Sequence, residues 1–159
     1  YDTYLISDQG RNWSGTTDDV PTMNVWSHIA VVINPADTSY RLYINGVEEY
    51  TRTDFDTTHT FTGTRNFQLG SISTAESYHS FIGTMDDFAI WSSALTQAQI
   101  QSIYNSGNGG VDPRDVSSNT LEFLANFEYG TNGSETTDVI NNRAATQSSR
   151  VAQTTATPY

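Results

Sequence analysis

The chain has 159 residues, of which 36% are hydrophobic and 12% aromatic, and its 18 acidic against 7 basic residues leave a formal net charge of −11. All seven basic residues are arginine, so there is no basic patch of the kind that neutralises nucleic-acid phosphate, and an anionic membrane surface is equally unfavourable. The absence of cysteine excludes disulfides and thiolate metal sites, and no apolar run reaches the roughly 18 residues of a membrane span, so membrane insertion by a helix is not expected.

The length fits one domain, or one domain plus an extension. Few apolar but many aromatic residues suit a thin core filled by large rings. The acidic surface suits a saline exterior and attracts cations. The chain starts at Tyr1 without Met, and is expected to be a processed product or a piece of something longer.

Tyr1 to Ile6 reads as a short strand, and Ser7 to Asp19 as a polar loop with Trp13 stranded in it. Val25 to Ile33 (VWSHIAVVI) is the strongest strand, β-branched and apolar on both faces. Asn34-Pro35-Ala36-Asp37 is a turn. Tyr40 to Thr51 reads as a hairpin with Asn45-Gly46 as a type I′ turn, which puts Ile44 opposite Val47 and Tyr43 opposite Glu48. Leu42, Ile44 and Val47 then form the expected core side. Arg41, Tyr43, Glu48 and Tyr50 share the other face, where Arg41 and Glu48 can pair.

Thr51 to Thr64 is a polar excursion, Phe67 to Ile72 a further strand, and Ser73 to Ser80 a loop carrying Glu76, Tyr78 and His79. Phe81 to Gly107 organises the rest. It reads as a strand ending at Trp91 and one short helix. Thr96 and Gln99 form a capping box, Leu95 and Ile100 a hydrophobic staple, and Ile100, Ile103 and Tyr104 an apolar stripe, with Gly107 as the stop. Asn108 to Asn119 reads as a Gly/Asp/Ser linker and Leu121 to Tyr129 as a return strand. Gly130 to Tyr159 is polar, with a strand around Arg150 to Thr155. Many short strands separated by turn signals predict an all-β, antiparallel β-sandwich with one short helix.

Five blocks in order are Trp26–Val32 (WSHIAVV), Arg41–Gly46 (RLYING), Phe67–Gly70 (FQLG), Phe81–Trp91 (FIGTMDDFAIW) and Ala94–Tyr104 (ALTQAQIQSIY). Together they resemble the C-terminal half of a laminin-G-like, concanavalin A-like jelly-roll domain, related to pentraxins. The resemblance covers residues 1–107 and leaves 108–159 as linker, return strand and polar tail. It implies two curved antiparallel sheets, with the helix closing one edge. Such domains begin with several strands ahead of the Trp-x-His block, and these are expected upstream in a longer parent protein or in other subunits of an assembly. The later block LEFLANFEYG, after its Gly/Asp/Ser linker, resembles an arrangement in structural proteins of marine tailed phages.

Asp86-Asp87 is the candidate metal site. The functional reading is a structural Ca²⁺ with loop carbonyls as further oxygen ligands. The plain reading is a carboxylate bonding loop N–H groups at a strand entrance. Neighbours on a strand point to opposite faces, so both can reach one cation only where the backbone is irregular. Trp13, Tyr78 and His79 are the candidate ligand-binding residues, because a ring in a polar loop can stack on a sugar face; the plain reading is that they cap the ends of the sandwich. His28, inside the strongest strand, reads as a hydrogen-bonded core histidine rather than a ligand.

Catalysis finds little support. Glu122 and Glu128 share a strand face but lie roughly 20 Å apart, whereas glycosidase pairs are within about 10 Å. Some jelly-roll glucanases carry E-x-D-x-x-E on one strand, and that pattern is missing. Asn12-Trp13-Ser14 and Asn132-Gly133-Ser134 match the glycosylation sequon. The expected function is therefore a non-enzymatic structural or adhesion module of a larger extracellular or virion-surface assembly. The alternative is a carbohydrate-binding module that recognises glycan, and a glycoside hydrolase is more remote.

Overall fold

The computed structural model describes residues 4–8, 11–14, 24–53, 69, 81, 83–127, 135–138, 140–141 and 143–146. The elements are β1 (Tyr4–Asp8), β2 (Arg11–Ser14), β3 (Ile29–Asn34), β4 (Ser39–Ile44), β5 (Val47–Arg52), β6 (Phe88–Trp91), α1 (Gln97–Tyr104), β7 (Leu121–Ala125), β8 (Glu135–Asp138) and β9 (Arg143–Thr146). The molecule divides into two compact units, Tyr1–Thr57 with Trp91–Leu121, and Thr58–Ile90 with Glu122–Tyr159.

The centre of the first unit is the antiparallel sheet β3-β4-β5. Asn45 (φ 51) and Gly46 (φ 78) both take positive φ, which gives β4 and β5 the type I′ turn that Asn-Gly predicts. Ile44 faces Val47 and Tyr43 faces Glu48, as expected. One step further the register slips: Leu42 pairs with Tyr50, which leaves Glu49 as the extra residue of a β-bulge. A bulge moves every residue beyond it to the opposite face. Tyr50 therefore joins the Tyr40 and Leu42 face, where it meets Tyr40 edge-to-face at 6.1 Å, and does not share a face with Tyr43.

The core assignment changes with it. Leu42 is buried, but Val47 is 55% exposed, and Tyr43, expected on the outer face, is only 4% exposed. The cause is α1. Ile100 is fully buried in a cluster with Val32 and Tyr43, with Ala30 and Leu95 packed against it. The helix thus covers the Ala30, Val32 and Tyr43 side of the sheet, whose residues are opposite or alternate in register. Tyr43 keeps its polar end satisfied by donating its hydroxyl to Glu48 Oε2 at 3.0 Å.

The helix starts as its sequence predicts. The Thr96 side chain accepts from Gln99 N–H, and Gln99 Oε1 accepts the Thr96 N–H at 2.8 Å, a complete capping box. It stops earlier than Gly107. Asn105 enters the left-handed region (φ 42, ψ 41), which asparagine tolerates, and its N–H returns to the Gln101 carbonyl. Gly107 ends the 3-10 turn that follows.

Residues 108–120 run as a strap over the helix. Val111 N–H donates to Ser102 O at 3.0 Å, and the Gln99 side chain reaches Ser117 Oγ at 2.6 Å. The Trp91 indole donates to Val116 O at 2.9 Å, and Ser92 N–H to Thr120 O at 2.7 Å. Gly110 lies so close to the helix end that a Cβ there would come within 1.6 Å of Ile103 O.

Other strand expectations shift as well. Val25 to His28 do not join β3, because β4 ends at Ile44: His28 is met by the turn residue Asn45, and β4 has no residue left to pair with Val25 to Ser27. Trp13 is not in a loop: Arg11–Ser14 pairs antiparallel with Tyr4–Asp8, with Trp13 opposite Ile6. β6 begins only at Phe88 and pairs with β7. In the second unit, Phe88 and Phe123 meet edge-to-face at 6.1 Å, and β8 and β9 form an antiparallel hairpin within the polar C-terminal stretch. Of the strand expected over Phe67–Ile72 only Leu69 is described, in a bend, and the strand expected over Arg150–Thr155 lies outside the described residues.

Replacing Ile100 by alanine is expected to cost about 2–5 kcal/mol, as for other fully buried aliphatic truncations. Gly110→Ala is expected to cost about 1–3 kcal/mol by forcing the strap off the Ile103 carbonyl. Urea unfolding of the two variants against the parent protein measures both; a Gly110→Ala change within error of zero would contradict the docked strap.

Candidate functional site

The tip of the β4–β5 hairpin is where loop, sheet and helix meet. Asn45 N–H donates to His28 O at 2.8 Å, and Asn45 Oδ1 accepts the His28 N–H at 2.9 Å. The turn is also held from the helix. Gln101 donates to Gly46 O at 3.3 Å, and a Cβ on Gly46 would press on Gln101 and Tyr104 at 3.2 and 3.3 Å. Only glycine fits both this approach and a φ of +78. The His28 ring stacks on Tyr104, with centroids 6.0 Å apart and planes 25° from parallel.

His28 is packed as a core residue, but its ring is not hydrogen-bonded as expected. Nδ1 is buried and has no partner among the described residues, because Asn45 bonds the His28 backbone while Tyr104 takes the ring face. Burial pushes the His28 pKa down.

Two residues ahead, Trp26 is 46% exposed, next to Val25 at 61%. Sequence reasoning used Trp26 only as part of a motif and passed over it as a binding residue. The signal was available. Counting register outward from Asn45-Gly46 places residues before His28 past the last position that the hairpin can pair. A Trp there lacks cross-strand cover.

Along the Tyr43 face, an arginine gathers the polar groups. Arg41 Nη2 lies 2.7 Å from Asp37 Oδ2, and its Nη1 donates to the hydroxyl of the fully buried Ser39, which itself donates to Asp37. Arg41 Nε lies 3.8 Å from Glu48 Oε2, the pairing that the hairpin register predicts. The hydrogen bonds from Ser39 and Arg41 hold the Asp37 carboxyl below its usual range. Asp112 is lowered in the same way by Arg114, its hydrogen-bond partner two residues on.

Asp86 and Asp87 fall just before β6, where the backbone is irregular: Asp87 takes φ 49, and its N–H donates to Asp86 Oδ1 at 3.1 Å. That is the geometry that lets neighbouring carboxylates turn the same way. Among the described residues, no three His, Cys, Asp or Glu side chains gather as a metal set. Two carboxylates supply up to about four of the roughly six to eight oxygens that calcium takes, so Ca²⁺ there needs carbonyl or water ligands in addition. Tyr78 and His79 lie outside the described residues, and only the backbone of Trp13 is described.

A family model described as the concanavalin A-like lectin/glucanases superfamily matches residues 2–101. The chain belongs to this superfamily. Among the described residues, its antiparallel strands and one short helix fit the superfamily's β-sandwich. Among solved structures, the chain is similar to a candidate carbohydrate-binding protein from Bacteroides ovatus, at 20% identity and a TM-score of 0.65, over 86% of this chain and 38% of that one. It is also similar to residues 221–444 of an S-layer domain-containing protein from Clostridium thermocellum, at 29% identity and a TM-score of 0.46, over 58% of this chain and 45% of that one. The chain thus spans less than half the length of either. No curated protein matches it.

The state of His28 makes a pH prediction. The unfolded protein binds a proton near the ordinary histidine value of 6.5, while the folded protein resists it to lower pH. The contribution is fully present above about 6.5 and is lost as pH falls through the lowered folded value. Urea midpoints measured from neutral to mildly acidic pH are expected to decline, and His28→Phe is expected to flatten that decline. An unchanged slope in the variant would assign the decline elsewhere.

Proposed function

We propose that the chain is a non-catalytic adhesion module of a larger extracellular assembly, and that its contact chemistry is glycan recognition by exposed aromatic rings. The observation that carries this is Trp26. In a superfamily of lectins and glucanases, the half-exposed Trp26 lies two residues ahead of His28, which Asn45 and Tyr104 hold at the hairpin tip. An exposed aromatic ring presents a flat apolar face to sugar C–H groups. Trp13, Tyr78 and His79 belong to the same proposal as further contact residues.

The superfamily also contains glucanases, and the two described carboxylates whose titration is shifted do not suit hydrolysis. Glycoside hydrolysis needs one carboxylic acid kept protonated by a raised pKa beside a second carboxylate. Asp37 is shifted the opposite way by hydrogen bonds from Ser39 and Arg41, and Asp112 by Arg114. Ca²⁺ at Asp86 and Asp87 would serve structure rather than chemistry.

A structural role within the assembly is the second reading, and the sheet favours it. On the face of β3-β4-β5 opposite α1, Tyr40 and Leu42 at the centre are buried, while Ile29, Ile33 and Val47 around them are 43%, 42% and 55% exposed. A concentration of exposed aliphatic residues on one sheet face is characteristic of a surface that meets a partner. A partner subunit of the assembly is proposed there. The setting, an extracellular or virion surface, rests on the acidic, lysine-free composition.

The test is calorimetric titration with a panel of soluble polysaccharides, together with an assay for released reducing ends. The parent protein is expected to bind at least one polysaccharide and release no reducing ends. Trp26→Ala is expected to weaken binding about tenfold with an unchanged unfolding midpoint. Release of reducing ends, or no binding to any polysaccharide, would overturn the proposal.

A further inference from the structure

Three Asn-Gly pairs occur in the sequence, Asn45-Gly46, Asn108-Gly109 and Asn132-Gly133. An asparagine followed by glycine is chemically vulnerable, because the next backbone nitrogen can attack the side-chain amide when no Cβ obstructs it. The fold treats two of these pairs in opposite ways, and the third lies outside the described residues.

At Asn45-Gly46 the reacting groups are fixed. Asn45 Oδ1 accepts a hydrogen bond from His28 N–H, and the Asn45 N–H is bonded to His28 O. Gly46 is buried against Gln101 and Tyr104, so its nitrogen cannot swing toward the Asn45 amide. At Asn108-Gly109 both residues are exposed, and no described residue bonds the Asn108 side-chain amide. A Cβ built on Gly109 would meet nothing within 4 Å. The Asn108 N–H donates to Asn105 O at 3.1 Å and Gly109 O accepts from the Asn105 side-chain amide at 2.8 Å, so the backbone is tied on either side of the reacting peptide while the Asn108 side chain and the Gly109 Cα face open space.

We infer that Asn108 is a site of spontaneous covalent modification, which converts it through a succinimide to aspartate or isoaspartate, while the chemically identical pair at the hairpin tip is protected by the fold. The Gly109 amide loses its proton to solvent base, and its nitrogen attacks Cγ of Asn108. A bond forms between that nitrogen and Cγ, the bond from Cγ to Nδ2 breaks, and Nδ2 leaves as ammonia. Water then opens the ring at either carbonyl. One opening restores the backbone with an aspartate; the other routes the backbone through the former side-chain atoms and adds a methylene to it.

The position gives this chemistry a structural consequence. Two residues on, Gly110 is wedged against Ile103 O, and Val111 is bonded to Ser102 O. An added methylene between Asn105 and Gly110 displaces that wedge. Either product also adds a negative charge near the C-terminal end of α1, where the helix dipole disfavours it. Modification therefore loosens the strap from the helix.

The test is peptide mapping by mass spectrometry of the intact protein aged in warm, mildly alkaline buffer, with a parallel sample held in urea. Folded, Asn108 is expected to convert at least about tenfold faster than Asn45, because Asn45 reacts only after local opening. In urea the two are expected to convert at similar rates. Equal rates in the folded protein would overturn the proposal. A slow Asn45 in urea would overturn the claim that the fold protects it. Amide hydrogen exchange on the aged protein reads the consequence: Val111 is expected to lose protection in proportion to the isoaspartate formed, and unchanged protection would contradict the loosened strap.

Discussion

The contact on which the first unit depends is Ile100 between Val32 and Tyr43. An eight-residue helix does not persist alone in water, because nucleation is costly and each added residue returns little. Burying one isoleucine completely is worth about 1.5–3 kcal/mol, comparable with the helix's own deficit. Once Ile100 is seated, the rest of the helix has fixed work. Gln99 closes the cap and reaches Ser117, Gln101 and Tyr104 brace the Asn45-Gly46 turn, and the Ser102 and Ile103 carbonyls receive the strap. The hairpin tip inherits its bracing from this one packing contact.

Features written in a few adjacent residues were legible in the sequence. Asn45-Gly46 set the hairpin turn and its nearest register, and Thr96 with Gln99 set the helix entrance. What depends on distant residues was not. The faces of Tyr43 and Tyr50 turn on a bulge at Glu49 and on where the helix lands, and neither leaves a local pattern. β2, β8 and β9 are polar strands, and a strand without apolar alternation has no periodic signal to distinguish it from a loop. Trp13 was misread for that reason. The exposure of Trp26 was not legible locally for a different reason: it follows from the length of the hairpin that β3 pairs with, not from its neighbours.

The chemistry of the site follows from how the few cations are spent. With seven arginines against 18 acids, each arginine has its choice of carboxylates. Arg41 binds Asp37, Ser39 and Glu48 together, and Arg114 binds Asp112. Asp37 and Asp112, held below the usual carboxylate range by these hydrogen bonds, are poor proton donors. The remaining acidic surface repels its own kind and keeps the module soluble. Against that background the proposal of glycan recognition rests on an apolar, half-exposed ring, because sugar recognition draws on stacking as well as on charge.

The three tryptophans provide a direct test of this account, since each carries one indole N–H that a nitrogen-15 correlation spectrum resolves: Trp13, Trp26 and Trp91. The Trp91 indole is bonded to the Val116 carbonyl inside the first unit and serves as an internal reference. Adding an oligosaccharide fragment of the polysaccharide that binds is predicted to move the Trp26 indole signal, along with amides around His28 and Asn45, and to leave Trp91 in place. A spectrum in which Trp26 stays fixed while the ligand binds would contradict the assignment of the hairpin tip as the contact surface.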